Sequence, residues 1–317
     1  MFNGSPADHS RFDFGGLRVP EPARAFLSSL PPQIVPFPAR QFANIGLPKV
    51  LGRSGTLEIR LAKNARDVRR AQRLRYQVFY EEMSAVPNAR CKFLRRDIDA
   101  YDAICDHLLV VDTARLDMRK GRKPRPMVVG TYRLLRQDQI GGAGFYTQSE
   151  FDIAALIRRH PGKRFLELGR SCVLEDYRTK KTVELLWHGI WAYVRHHRVD
   201  VMFGCASLEG VNPAELSERL AFLHHHARAT GEWSARAHPF NHVPMDRVSA
   251  DAINPKAALK ALPPLIKGYL RVGARFGEGA VVDRQFGTTD VLVVLPISQI
   301  DRRYVDYYGA EGERYAA

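Results

Sequence analysis

The stretch "FLELGRSCV", residues 165–173, is an apolar run that carries Glu167 and Arg170 in its middle. Charge inside such a run is costly unless it is paired or put to work. A carboxylate in that position can accept a proton during a reaction. A guanidinium can hold a substrate carboxylate through two parallel hydrogen bonds. The pair therefore reads either as a buried ion pair that fixes strand register or as the floor of a catalytic cleft. In a regular strand Leu166, Leu168 and Arg170 share one face, and Glu167, Gly169 and Ser171 the other. Gly169 in mid-strand points to a bulge, which would shift the alternation and turn Glu167 and Arg170 toward one cleft.

Other charges sit in similarly apolar company. Arg75 lies beside the apolar stripe of "LRYQVFYEEM", with Phe79 four residues on. Asp99 and Asp102 stand three apart in "DAYD", and Arg133 interrupts "VVGTYRLLR". Just past the opening stretch, "EDYRTKKT" places Arg178, Lys180 and Lys181 ahead of an amphipathic run. Helix-start amides and the helix dipole favour an anion, so this turn reads as a phosphate seat or, more blandly, as a solvated basic turn. It lacks the G-x-x-x-x-G-K-[ST] pattern and is no nucleotide P-loop. The amides of Cys172, Val173 and Leu174, next to the expected bulge, are candidate donors to a developing negative charge. "GRSCV" is not a G-x-S-x-G elbow, so the Cys172 side chain reads as core. His224, His225 and His226 are consecutive on an expected helix and point to different faces, so no metal site is read there. Trp187 and Trp191 read as core.

These residues need elements to position them. "TLEIRLA" (56–62) reads as a strand and "NARDVRRAQRLRYQVFYEEM" (64–83) as a helix, with Asn64 as N-cap. A strand "HLLVVDT", the basic linker "ARLDMRKGRKPRPM" and a strand "VVGTYRLLR" follow, then a helix around 149–160 that leads to the opening strand. Val183, Leu186, Trp187, Ile190, Trp191 and Val194 give a helical stripe over about 182–197. "VDVMFGCASL" is a strand, "PAELSERLAFLHHHA" a helix, and "TDVLVVLPI" a last strand. The order implies a mixed α/β (α+β) sheet flanked by helices. Residues 1–55, rich in Pro, Gly and Ser, read as an irregular extension, 56–235 as the core, and 236–317 as a C-terminal extension packed on it.

The charge balance, 48 Lys plus Arg against 34 Asp plus Glu for a net +14, selects anionic partners: an acidic protein, a membrane surface or nucleic acid. No apolar run approaches the roughly 20 residues of a membrane span, and no secretory signal is visible. Four scattered cysteines without a C-x-x-C pair fit a reducing cytoplasm. Within 256–276, Leu259, Leu262, Leu265, Ile266, Tyr269 and Leu270 form an apolar face ringed by lysine and arginine. That segment reads equally as a helix lying on the inner face of an anionic membrane or as a packed tail helix with a basic outer face.

Taken in order, Arg75 with Phe79, Asp99 with Asp102, Arg133 with Leu134, and Glu167 with Arg170 resemble the R-x-x-x-F, D-x-x-D, R-L and E-x-x-R motifs of GNAT-superfold acyltransferases, in the branch shared with acyl-homoserine-lactone synthases. The tail "LPPLIKGYLRVGARFGEGAVVDRQFGTTDVLVVLP", absent from those synthases, resembles the hemolysin-like acyltransferases. The best-defined activity of that family is ornithine N-acyltransfer in ornithine-lipid synthesis. The resemblance implies a largely antiparallel GNAT-like sheet and a 3-hydroxyacyl chain delivered by acyl carrier protein to the ornithine α-amine, with no cofactor. "DYRTKKT" has no glycine where coenzyme A users carry a glycine-rich turn, which favours a carrier-protein donor. On that reading Glu167 is the general base. Arg170, Arg75 and Arg133 order the site and hold the carboxylate, and Asp99 and Asp102 attract the second amine. Asp283 and Phe286 resemble the same tail and help form the acceptor pocket. The alternatives are an acyl-homoserine-lactone synthase, or a basic nucleic-acid- or membrane-binding protein with no activity. Without a recognised binding motif or aromatic interleaving in the linker, nucleic acid is not expected as a partner.

Overall fold

Eight strands make one sheet in the order β1-β2-β3-β4-β5-β6-β8-β7 in a computed structural model, which describes residues 44, 46–83, 85–118, 123–301 and 304. The strands are β1 (Gly52–Ser54), β2 (Leu57–Leu61), β3 (Asp106–Asp117), β4 (Arg125–Arg136), β5 (Phe165–Val173), β6 (Val201–Glu209), β7 (Arg275–Asp283) and β8 (Thr288–Pro296). Every neighbouring pair is antiparallel except β5 and β6. The helices are α1 (Ala65–Tyr76), α2 (Ala89–Leu94), α3 (Ile153–Arg159), α4 (Lys180–His197), α5 (Ser217–Ala227), α6 (Pro255–Ala261) and α7 (Pro264–Arg271). This is the mixed, mainly antiparallel GNAT-like architecture that the motifs implied. No described helix is long and apolar enough to cross a membrane.

The two faces of the sheet carry different chemistry. On β4, Tyr132 meets Tyr269 of α7, whose ring also packs on Trp187 of α4. The next residue, Arg133, points the other way, toward the loop acids paired with Arg75 of α1. Alternation thus puts α4 and α7 on the apolar face and α1 on the charged face. Asn64 caps α1 by accepting the amides of Arg66 and Asp67. The expected single helix to Met83 changes character: from Gln77 to Glu82 it widens into a π turn, with the Met83 amide bonded to the Val78 carbonyl. Such widening often marks a working region. Here it accompanies Phe79 and Tyr80 being set against Phe286.

Several expectations need correction. The end of the N-terminal extension is not irregular, since Gly52–Ser54 pair with β2; residues 1–43 lie outside the described residues. The basic linker is partly strand, because β3 runs to Asp117 and β4 starts at Arg125. The segment 256–276 is two short helices broken where Pro263 and Pro264 meet, followed by the start of β7. Its apolar face turns inward: Leu262, Ile266 and Tyr269 are buried, and Leu265 and Leu270 pack on the core. Among the large apolar residues of that face only Leu259 is exposed, so the packed-helix reading holds and the membrane-lying one does not. Strand β7 and helix α2 carry too little periodicity of their own to be read from sequence.

Candidate active site

Strand β5 lies between an antiparallel neighbour, β4, and a parallel one, β6. Its pairing with β6 runs only from Phe165 to Glu167. The two strands stay close just past that point: a Cβ on Gly204 would lie 2.2 Å from the Leu168 carbonyl oxygen. Beyond it β5 is paired on the β4 side alone, and its other edge is left without a strand partner among the described residues.

The bulge exists, one residue later than Gly169. Thr131 faces Cys172 while Arg133 faces Gly169, so two residues of β5, Arg170 and Ser171, oppose Tyr132 alone. Arg170 takes φ +49°. The other left-handed non-glycine residues, Arg95 and Arg198, simply end helices. Inside a strand that conformation is strained for an L residue and needs compensation. It is held by its destination. Glu167 faces Leu135 and so shares the charged face with Arg133. The bulge brings Arg170 over to that face as well. Its guanidinium carbon lies 4.8 Å from the centre of the Tyr146 ring and 4.6 Å from that of Phe286.

On that face three arginines meet three aspartates. Arg75 is 0% exposed and binds Asp97 at 2.7 Å and Asp102 at 2.8 Å. Arg133 binds Asp99 at 2.6 Å, and Arg170 approaches Asp99 at 3.3 Å and Asp97 at 3.4 Å. Asp102, 3% exposed, also accepts from Gln72. Arg75 and Arg133 hold Asp102 far below the usual carboxylate range despite its burial. The network is charge-balanced, and Arg75 and Asp102 are buried in it as framework, with the Arg75 Nη1 left without a hydrogen-bond partner among the described residues. Arg170 differs in exposure: its side chain is 14% exposed against 0% for Arg75, its hydrogen bonds use Nη2 alone, its Nε lies 3.4 Å from Asp97, and Nη1 makes no hydrogen bond among the described residues. Asp99, with a side chain 22% exposed, also borders the opening, and Phe79 packs edge-on against Phe286 at 5.6 Å. Asp283 accepts the amides of Gln285 and Phe286 and so shapes the turn that carries Phe286.

Glu167 is buried with both oxygens engaged. Oε2 accepts from the Tyr146 amide at 2.9 Å, and Oε1 from the Thr147 amide at 2.7 Å and the Thr147 hydroxyl. Burial raises its pKa and these bonds oppose the rise. Its firm role in the structure is to clamp the Tyr146–Thr147 turn beneath Arg170.

Next to that turn lies a group that sequence reading missed. Ligand atoms of Glu150, Cys205 and Asp290 all lie within 4.8 Å of one another. Cys205 donates to Glu150 at 3.2 Å. Burial and the nearby Asp290 push the Glu150 carboxyl up to about 7. Burial does the same to Asp290, to about 6, with Asp283 adding repulsion and Arg170 opposing it. Among the described residues neither carboxylate has a salt-bridge partner. Such a group invites a cation. Burial and the nearby acids Glu150 and Asp290 push the Cys205 thiol well above its usual range. The signal was available: Asp290 interrupts "TTDVLVVLP" as Glu167 interrupts β5.

On the donor side, Leu174 donates its amide to Val129 across β4. Antiparallel alternation then turns the Cys172 amide toward β4 too and the Val173 amide toward the open edge. The Val173 carbonyl points the same way, accepting from Arg178 at 3.0 Å. Of the three amides expected to serve an oxyanion, only that of Val173 is placed for it. The Cys172 thiol is buried and pushed up to about 12 by its apolar setting, which excludes it as a nucleophile near neutral pH. Thr179 caps α4 through the Thr182 amide, and Lys180 and Lys181 are exposed beside it. Arg178 is partly spent on Glu82 at 2.6 Å.

A family model described as an acetyltransferase (GNAT) domain matches residues 74–188, which hold the clamp, the bulge and most of the ion network. Similar curated proteins include the L-ornithine N(alpha)-acyltransferase of Agrobacterium fabrum, 57% identical over 84% of this chain and 89% of its own length. The corresponding proteins of Rhizobium meliloti and Brucella abortus are 55% and 51% identical, over 84% and 86% of this chain and 89% and 96% of their own lengths. With relatives this similar over more than four fifths of its length, the chain is an acyltransferase that belongs to the L-ornithine N(alpha)-acyltransferase family.

Proposed function

We propose that this chain transfers a 3-hydroxyacyl group from acyl carrier protein to the α-amine of ornithine, giving a lyso-ornithine lipid. The observation that carries the acceptor assignment is the pairing of a free guanidinium edge with uncompensated acids across one cleft. Arg170 Nη1 takes the ornithine carboxylate, as a guanidinium suits a carboxylate. Asp290 and Glu150 face the ammonium groups. Asp290 holds the side-chain ammonium, and Glu150, poised at about 7, takes the α-ammonium proton. The freed amine attacks the thioester carbonyl, the Val173 amide supports the oxyanion, and the collapsing adduct expels the carrier thiol. Glu167 keeps the Tyr146–Thr147 turn, and through it Arg170, in place. The carrier's phosphodiester docks at Lys180 and Lys181. Transfer is direct, so no enzyme-bound acyl group forms.

The test is to incubate purified protein with 3-hydroxyacyl carrier protein and a panel of amino acids and to identify products by mass. Ornithine acylated on its α-amine is the expected product, with lysine weaker and glycine inactive. Equal turnover of glycine would remove the acidic subsite, and no acylated amino acid at all would overturn the reading.

A further inference from the structure

The outer face of α1 is basic beyond anything the acyl-transfer site uses. Arg66, Arg69 and Arg73 fall on it at helical spacing. With Lys123 and Arg125 of the β3–β4 hairpin they line a groove of about 500 Å³. None of these five has a salt-bridge partner among the described residues. The one carboxylate in the groove is Asp117. Arg70, which bridges Asp67 and the Pro126 carbonyl, ties the hairpin to the helix and so fixes the groove's shape. The Arg73 Nε is buried without a hydrogen-bond partner. At the α2 end the field continues: burial lowers the Arg96 pKa, and Arg69 and Arg90 are near enough to add to that lowering.

Large apolar side chains also stand in the open on the hairpin and on α2. At the hairpin, Leu116 is 48% and Met118 70% exposed. On α2, Phe93 is 87% exposed, beside Lys92 and Arg90. Large apolar side chains standing out at both ends of a cationic ridge are what a bilayer interface rewards. Cations meet anionic headgroups, and the apolar tips enter the acyl boundary. An acidic protein would also reward the cations, and vesicle binding separates it from a bilayer.

We infer that the α1–hairpin–α2 face docks this enzyme on an anionic lipid surface. The inference stands on this surface and not on the acceptor chemistry proposed above. It replaces the 256–276 segment, whose apolar face is spent on the core, as the membrane contact.

The test uses full-length protein without substrates and flotation with two kinds of vesicle, phosphatidylcholine alone and phosphatidylcholine with phosphatidylglycerol. The wild type should float only with the anionic vesicles, and salt should weaken binding. Arg66→Glu combined with Arg69→Glu and Arg73→Glu should cut the bound fraction at least about tenfold at low salt, since each cation adds to surface attraction. Phe93→Ser with Met118→Ser should remove the part of binding that survives salt. Melting temperatures within error of wild type keep both variants interpretable, and Arg66→Gln with Arg69→Gln gives a milder second variant of the same sign. Absence of wild-type binding to anionic vesicles would overturn the inference, as would undiminished binding by the triple variant. Reduced turnover on acyl carrier protein with vesicle binding intact would mean that this face reads an acidic protein instead. Vesicle binding with no acylation of any amino acid would leave this inference standing and the functional proposal fallen.

Discussion

Glu167 and Glu150 are linked through Thr147 and Cys205 but carry different obligations. Glu167 spends its oxygens on a turn, whereas Glu150 faces other acids and sits at about 7. A base must be deprotonated to act, so kcat/KM should rise with pH through about 7 and then level off. Glu150→Gln should lower kcat/KM by about 10²-fold at pH above 8 and erase that limb. Glu167→Gln should lower kcat comparably but keep the limb, because an amide cannot accept the same bonds and the turn under Arg170 loosens. If Glu167→Gln abolishes the limb and Glu150→Gln does not, Glu167 is the base, as the sequence alone suggested. Asp290 allows a test of opposite sign in stability and function. Its folded pKa, about 6, lies above its ordinary value of 3.8. Its contribution to stability is therefore fully present below 3.8 and lost as pH rises through 6. Asp290→Asn, always neutral, should melt above wild type at pH 8, with the gap closing toward pH 4, while the KM for ornithine rises at least about tenfold through loss of a charged partner. A variant that is less stable at pH 8 would make Asp290 a structural residue.

The elements explain why some of this was legible and some was not. Charges interrupting apolar strands marked Glu167, Arg170 and Arg133, and the motif order placed them on the right elements. What they do there depends on partners far away in sequence. Arg75 reads identically whether it holds substrate or Asp97 and Asp102; only packing decides, and it is framework. The bulge was legible as a need, but Gly169 was the wrong residue, because the stacks on Tyr146 and Phe286 let Arg170 itself take the left-handed position. The break in 256–276 was present as a Pro-Pro pair, yet its apolar face looked the same whether bound for a core or a bilayer. The close approach of β5 and β6 where their pairing ends could not be seen, since it rests on one contact, Gly204 against Leu168. That approach is testable. The obstacle to a Cβ there is backbone, which cannot swing aside, so Gly204→Ala should destabilise the fold by about 1–3 kcal/mol, measured by urea unfolding. Residual activity per folded molecule should fall as well, because the strands can relieve the clash only by shifting at the mouth of the cleft. Unchanged stability would mean that the two strands are not held in this register.

At the scale of the whole molecule, the +14 charge is spread unevenly. One concentration lies along α1 and the hairpin, and another at the start of α4, where Lys180 and Lys181 are exposed and Arg178 is half engaged. The buried ion network is neutral within itself and adds nothing to the outer field. Two consequences separate the donor from the acceptor. An acidic carrier protein feels the outer field over a Debye length of about 10 Å at 0.1 M salt, so its encounter rate should fall as salt rises. Ornithine enters a cleft where the charges are largely buried and weakly screened, so its KM should change little over the same range. Lys180→Glu with Lys181→Glu should therefore raise the KM for the acyl carrier substrate by about tenfold or more at low salt, and the gap to wild type should shrink as salt is added. The KM for ornithine should stay within about twofold, since each lysine is solvated and outside the acceptor cleft. Titrating each substrate at several salt concentrations reads both effects in one set of initial rates. A double variant with an unchanged donor KM, or a salt dependence that falls on ornithine instead, would place the carrier somewhere other than the start of α4.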